Sequence, residues 1–191
     1  MNMLFLIASI MLPLYSPWPY IQSILRGETK PHRTTRSVYL VIGVLTTLSL
    51  LASGDRTALW ISAVSTVQAI VLFSLGMRYG VGGWSKTDIA CLLTAAVGIV
   101  AWQTTKDPVL GLYLGIIADF VGTVPTIIKS YRFPNTENWS FYGIDAIAGF
   151  CNVLAVTDRS LQAYVYPAYL VWINVIIALL ARRKNALTDV F

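Results

Sequence analysis

The sequence predicts an all-α integral membrane protein with seven transmembrane helices, arranged as two parallel triple-helix repeats joined by one linking helix (3+1+3). Three observations predict this fold class. The composition is 56% apolar and only 12% charged, whereas soluble domains have about 25% charged residues, and the mean hydropathy is +0.65. The apolar residues form seven runs separated by charged and turn residues. Residues of the first three runs recur in the last three.

The seven apolar runs are the predicted membrane spans. They cover residues 3–24, 37–53, 57–77, 87–102, 108–128, 140–157 and 163–181. A helix needs about 20 residues to cross the hydrocarbon core, whereas a β-barrel would show alternating segments of about 10 residues. The first run has no basic segment or cleavage pattern, so we expect a helix here and not a secretory signal. Cys91 and Cys151 lie inside predicted spans, which indicates buried thiols and neither a disulfide framework nor a metal site.

Lysines and arginines are divided unequally between the two sides of the predicted membrane. The side with the N-terminus has Arg56, Lys106 and Arg159. The other side has Arg26, Lys30, Arg33, Arg36, Arg78, Lys86, Lys129, Arg132, Arg182, Arg183 and Lys184. Because basic loops stay in the cytoplasm, we predict a multi-pass protein with its N-terminus outside and its C-terminus in the cytoplasm. The net charge of +5 then reports topology, and we expect no nucleic-acid partner.

An internal repeat divides the chain. With a shift of 106 positions, Pro19, Ile21 and Arg26 recur as Pro125, Ile127 and Arg132. Three extra residues in the first basic loop reduce the shift to 103, and Ser37, Tyr39, Leu51, Ala52, Asp55 and Arg56 recur as Ser140, Tyr142, Leu154, Ala155, Asp158 and Arg159. The predicted domains are therefore a first triple-helix bundle (1–80), a linker helix (81–105) and a second triple-helix bundle (106–191).

The residues around the recurring prolines carry a family resemblance. Pro125 is followed 15 positions later by Ser140, which opens the next predicted helix, and Ser16-Pro17-Trp18-Pro19 stands in the first repeat. With these features the chain resembles the PQ-loop superfamily, which includes the SWEET (MtN3-type) sugar transporters and cystinosin; SWEETs consist of parallel repeats. Tyr20 and Thr126 stand where the family motif has glutamine. The resemblance implies alternating-access transport of a small solute, with a sugar-like solute favoured.

The recurring prolines, Pro19 and Pro125, are predicted hinges. Proline removes a backbone hydrogen bond and loosens the helix at the preceding turn. Their matching positions in the two repeats favour bending that gates access to a pocket. The alternative is a static kink that improves packing.

Polar side chains near the middle of the spans are the predicted solute site, because they can replace the water that a solute loses. Gln68, Asn152 and Asn174 lie at similar depth, and Ser49 is the repeat counterpart of Asn152. Asn174 also resembles a pocket asparagine of SWEETs. Trp172 is placed to stack on a sugar ring. The alternatives are hydrogen bonding between helices for the polar residues and an interfacial belt for the aromatic residues, as we expect for Trp18, Trp84, Trp102 and Trp139.

A carboxylate, Asp119, lies 11 residues into the fifth apolar run. Its "DFVG" phrase ahead of Pro125 resembles the aspartate that precedes the second PQ motif in cystinosin, and this resemblance implies a proton-coupling role. The repeat counterpart of Asp119 is Pro13, so packing common to both halves does not require a carboxylate. The alternative is a buried hydrogen-bond acceptor. For Asp145 we favour an ion pair with Lys129 or Arg132.

Other functional classes are disfavoured by the motifs. The chain lacks HExxH, GxSxG and a phosphate-binding glycine loop, and residues 163–181 contain no lysine for a retinal Schiff base. We therefore expect no enzymatic activity, no cofactor and no metal. The expected partners are a small-molecule solute and the lipid bilayer, and homo-oligomerisation is left open. A proton-coupled amino-acid or vitamin transporter of the PQ-loop type, and a non-transporting ligand receptor on the same fold, stand as alternatives.

Overall fold

The helical fold class is confirmed over the part of the chain that the structure describes. The computed structural model describes residues 3–53, 56–105, 108–156 and 161–183. The helices are α1 (Met3–Tyr15), α2 (Pro17–Leu25), α3 (Arg33–Ser53), α4 (Arg56–Tyr79), α5 (Lys86–Thr104), α6 (Pro108–Arg132), α7 (Trp139–Ala155) and α8 (Leu161–Arg182), with a 3₁₀ turn at Pro134–Thr136. Those four ranges contain no β-strand.

Three helical segments in the described ranges are long and apolar enough to cross a membrane. They are Met3–Leu25, Leu112–Arg132 and Ala163–Arg182. These segments correspond to the first, fifth and seventh predicted spans. The other four spans, and the orientation of the termini, stay predictions.

The chain forms two compact units. The first unit comprises Met1–Thr29 and Ile127–Phe191 and contains α1, α2, α7 and α8. The second unit comprises Lys30–Thr126 and contains α3, α4, α5 and most of α6. The two units are defined by contacts between residues, whereas the predicted domains were defined by the sequence repeat. The predicted domain ranges stay a prediction.

The first apolar segment is interrupted at Ser16, between α1 and α2. Pro17 and Pro19 have no N–H, so they cannot donate to the carbonyls of Pro13 and Tyr15 as other residues would. Ser16 itself keeps a helical backbone, with φ −56° and ψ −33°, which limits the interruption to a single residue. Two backbone hydrogen-bond donors are therefore absent near Ser16, inside a 23-residue apolar segment.

In the first unit, α2 packs on α7 through aromatic rings. The ring of Tyr20, which is completely buried, lies 4.4 Å from the ring of Phe141 and 6.3 Å from that of Tyr142, between centroids. Helix α8 approaches α7 closely at Gly149, where a Cβ would lie 3.1 Å from Cγ2 of Val171. Aromatic packing thus joins α7 to α2, and a small residue lets α8 pack closely on α7.

In the second unit, the core joins α3, α5 and α6. It is formed by Val38, Ala95, Ile99 and Ala118. Gly122 of α6 lies directly against Val38, and a Cβ at this glycine would overlap the Val38 side chain. The glycine therefore sets how closely α6 can approach α3.

Polar contacts of Asp88 join two loops of the second unit. Asp88 accepts hydrogen bonds from the backbone N–H groups of Gly83 at 2.9 Å and Ser85 at 3.2 Å, and Ser85 caps the start of α5. The other oxygen of Asp88 lies 3.4 Å from Nε2 of His32. His32 also forms a parallel bridge with Val81. The sequence motif Ser-x-x-Asp thus stabilises both a helix start and a loop contact.

Candidate solute-binding, coupling and hinge residues

Two of the predicted solute-binding residues belong to the second unit. Gln68 is half-buried in α4. Ser49 lies within α3, and its side chain is outside the described part of the structure. Close to Gln68 along the chain, Thr66 of α4 is hydrogen-bonded to Thr47 of α3 at 2.8 Å. A hydrogen bond between two hydroxyl groups therefore joins α3 to α4. From the sequence, hydrogen bonding between helices was considered only for the amides and Ser49.

The other three predicted solute-binding residues belong to the first unit. Asn152 is half-buried in α7 and Asn174 is half-buried in α8. The amide nitrogen of Asn174 donates to the carbonyl of Leu170 at 2.9 Å, one turn earlier in the same helix. This bond engages one of the two amide hydrogens.

Trp172 presents a large apolar surface. Its side chain is 60% exposed. It lies on one stripe of α8 with Val175 and Leu179, which are also exposed and follow at helical spacing. The stripe suits contact with lipid as well as stacking on a solute, so the predicted role of Trp172 needs a functional test.

The predicted proton-coupling residue, Asp119, lies at the start of a hydroxyl-rich stretch of α6. Asp119 is half-buried, and its backbone carbonyl accepts the hydroxyl hydrogen of Thr123 at 2.7 Å. The Thr123 oxygen lies 2.6 Å from the hydroxyl of Tyr39 in α3. Because Thr123 has only one hydrogen to donate, Tyr39 is the donor in this second bond. A chain of hydrogen bonds therefore runs from α3 to the backbone of Asp119.

The predicted hinge Pro125 is flanked by bonds to α3. It is buried inside α6, and its ring nitrogen cannot donate to the carbonyl of Val121. On one side Thr123 bonds to Tyr39, and on the other Thr126 donates to Thr35 at 2.9 Å. The division between the two units falls after Thr126, one residue beyond this proline.

The predicted hinge Pro19 is likewise flanked by polar contacts, here between α2 and α7. The hydroxyl of Ser16 donates to Oδ1 of Asp145 at 2.6 Å, and the hydroxyl of Tyr20 donates to Oε1 of Glu137 at 2.7 Å. Ser16 immediately precedes α2 and Tyr20 lies in its first turn, while Glu137 lies before α7 and Asp145 lies within it. These bonds hold α2 on α7 on both sides of the proline.

Lys129 is one of the two basic residues expected to pair with Asp145, and that pairing stays a prediction. Lys129 forms an ion pair with Glu137 and donates to the carbonyl of Thr136 at 3.2 Å. Both side chains are buried, with 5% and 0% of their surface exposed. Glu137 lies between the predicted spans 108–128 and 140–157, and its ion pair was not predicted from the sequence.

Hydroxyl groups beside the prolines were the main feature that the sequence analysis missed. Ser16 and Tyr20 flank Pro19, and Thr123 and Thr126 flank Pro125. Residues of this kind compensate for the donors that prolines lack in apolar helices. Their recurrence beside both prolines was visible in the sequence. Their partners on α7 and α3 were not, because those depend on how the helices pack.

Comparison of the chain with protein-family models, with curated proteins and with solved structures finds no match.

Proposed function

We propose that the protein is a membrane transporter for a small solute, with a sugar-like solute favoured, and that it works by alternating access. The observation that carries the proposal is the recurrence of Pro19 and its surrounding residues at Pro125, in a strongly apolar chain with polar side chains near mid-span. Parallel repeats with interrupted helices are typical of transporters that expose one pocket alternately to the two sides of a membrane.

The contacts around the prolines support hinges at equivalent positions. In the repeat register, α7 corresponds to α3 and Tyr20 corresponds to Thr126. Tyr20 bonds to Glu137, immediately before α7, and Thr126 bonds to Thr35 near the start of α3. Each proline-containing segment thus has a hydroxyl bond to the corresponding region of its own unit. Bending at each proline would move its segment relative to the residue to which that segment is hydrogen-bonded.

The residues that we propose for solute binding are Gln68, Asn152, Asn174, Ser49 and Trp172. Amides and hydroxyls replace the hydrogen bonds that a sugar or similar solute makes to water, and a tryptophan ring stacks on its apolar face. The bond from Asn174 to Leu170 holds this amide in one orientation, which favours a preorganised binding group.

A proton-coupled amino-acid or vitamin transporter of the PQ-loop type is the second candidate. The observation that favours it is Asp119, a carboxylate within one of the three segments that are apolar enough to span a membrane. An ionisable residue in such a place is typical of proton relays in transporters. A non-transporting ligand receptor is the third reading of the same fold.

Flux through reconstituted protein separates these functions. Proteoliposomes are loaded with buffer and offered a panel of labelled sugars, amino acids and vitamins, with and without a pH gradient. We expect downhill uptake of one solute class that exceeds uptake by protein-free liposomes. Dependence on the gradient would support the second candidate over the first. A solute that stabilises the protein against heating without any flux would contradict transport and support a receptor.

A further inference from the structure

Two arginines at the end of α8 are each placed over an aromatic ring of the same unit. The guanidinium carbon of Arg182 lies 5.3 Å from the ring centroid of Trp139. That of Arg183 lies 4.5 Å from the ring centroid of Tyr131, and its Nη2 donates to the Tyr131 carbonyl at 2.5 Å. We call these four residues the arginine-aromatic patch. The rings hold both guanidinium groups in place while leaving them exposed to the surroundings.

The patch carries positive charge that the described carboxylates of its unit do not neutralise. Within residues 3–29, 127–156 and 161–183 the carboxylates are Glu28, Glu137 and Asp145. Glu137 is bound by Lys129 and Tyr20, and Asp145 is bound by Ser16. Glu28 is exposed after the end of α2, and among the described residues neither arginine of the patch forms an ion pair with it. The side chains of Arg182 and Arg183 therefore form a surface suited to an anion.

An apolar stripe leads along α8 to this charge. Leu179 is 64% exposed and Val175 is also exposed. Leu179 precedes Arg182 by three residues, so these two lie on one side of α8, and Arg183 follows directly after the end of the helix. Trp139 and Tyr131 are exposed as well, and such rings are enriched at the level of lipid headgroups. An anion that fits the patch thus has room for a hydrocarbon chain directly beside it.

We propose that the arginine-aromatic patch binds the headgroup phosphate of an acidic phospholipid whose acyl chain lies along Leu179 and Val175. Guanidinium groups bind phosphate through paired N–H donors, and orientation by the rings reduces the ordering needed on binding. Basic side chains at the membrane surface attract acidic lipids. The apolar stripe favours a lipid over a free phosphate compound, because only the lipid fills both parts of the surface. This site does not depend on the proposed transport function.

The test is lipid retention by purified protein. Protein in mixed micelles with phosphatidylglycerol or phosphatidylcholine is examined by native mass spectrometry, and bound lipid is titrated. We expect phosphatidylglycerol to bind at least about tenfold more tightly than phosphatidylcholine, and the double variant Arg182→Gln/Arg183→Gln to lose this preference, since it removes charge-assisted hydrogen bonds. Arg26→Gln, which removes an exposed arginine elsewhere in the unit, is the matched control and should keep the preference.

Three further results decide the proposal. Tyr131→Leu/Trp139→Leu should weaken phosphatidylglycerol binding while keeping both charges. Arg182→Lys/Arg183→Lys should retain part of the preference, and this pair serves if the glutamine variant does not fold. Equal lipid preference in wild type and the lysine variant, or equal loss in Arg26→Gln, would show unspecific charge attraction and overturn the proposal. Displacement of the lipid by millimolar glycerol phosphate would also overturn it, because the site would then bind a free phosphate compound.

Discussion

At the scale of single residues, the amides of Gln68 and Asn174 provide the most direct test of the solute pocket. Asn174→Leu should abolish uptake and change the free energy of unfolding by no more than about 1 kcal/mol, because its amide donates to a carbonyl of its own helix. Gln68→Leu should likewise abolish uptake. The measurements are flux in proteoliposomes and thermal unfolding in detergent.

The matched control for the amides is Thr94→Val. Thr94 also donates to a carbonyl one turn earlier, that of Ala90 at 2.9 Å, and is exposed on α5. This variant should keep full uptake. If the amide variants lower stability while uptake per folded molecule is unchanged, Gln68 and Asn174 serve packing and not solute binding.

Asp119 has a test that separates proton coupling from solute movement. Asp119→Asn keeps the shape of the side chain and removes its ability to exchange a proton. If Asp119 carries the coupled proton, the variant should lose accumulation driven by a pH gradient but still exchange solute at equal concentrations. The measurement compares gradient-driven uptake with exchange in the same liposomes. Full gradient-driven accumulation by the variant would exclude Asp119 as the proton carrier.

Replacing only one member of the buried ion pair of Lys129 and Glu137 should lower the stability of the protein. Lys129→Met leaves the buried Glu137 without its cation, and we expect the free energy of unfolding to fall by about 3–5 kcal/mol. Lys129→Met/Glu137→Gln removes both charges, keeps an oxygen that accepts the hydroxyl hydrogen of Tyr20, and should recover much of that loss. Denaturant unfolding in detergent measures both variants. A double variant that is less stable than Lys129→Met would show that the pair is not the source of the effect.

At the scale of helices, the contact of α6 with α3 depends on Gly122. A methyl group at this position overlaps the side chain of Val38, so Gly122→Ala should lower the free energy of unfolding by about 1–3 kcal/mol. Gly115→Ala is the matched control in the same helix, because its Cβ would have no heavy atom within 4 Å. The control should be neutral or stabilising by up to about 1 kcal/mol. Equal effects of the two substitutions in thermal unfolding would argue against close packing at Gly122.

Helices were predictable from the sequence because apolar runs and the residues between them are local features. The run 3–24 corresponds to the observed segment Met3–Leu25, and the run 163–181 to Ala163–Arg182. Contacts between helices were less accessible, because they depend on the rotation of each helix about its axis. Thus the hydrogen bond between Ser16 and Asp145 was not predicted from the sequence. Glu137 was passed over because a loop carboxylate has no periodic pattern that reveals burial.

At the scale of the whole molecule, the assignment of α1 and α2 to one unit with α7 and α8 was not accessible from the repeat. Sequence similarity identifies which helices are equivalent, but it does not specify which of them pack together. The predicted candidate site likewise depends on which helices pack together. Gln68, Ser49 and Asp119 belong to one unit, while Asn152, Asn174 and Trp172 belong to the other.

The proposed motion makes a prediction for the prolines that carry it. Pro19→Ala and Pro125→Ala each restore a backbone donor, to the carbonyls of Tyr15 and Val121, and so stiffen a helix where bending is proposed. We expect each variant to slow maximal flux about tenfold or more while the solute concentration for half-maximal flux changes little, because the pocket residues are intact. The matched control is Pro167→Ala. Pro167 is a buried proline inside α8, as Pro125 is inside α6, but its repeat counterpart is Val64. Flux should therefore be nearly normal in this variant. If all three substitutions slow flux equally, or if Pro19→Ala and Pro125→Ala leave it unchanged, the prolines are static kinks and the hinge must lie elsewhere.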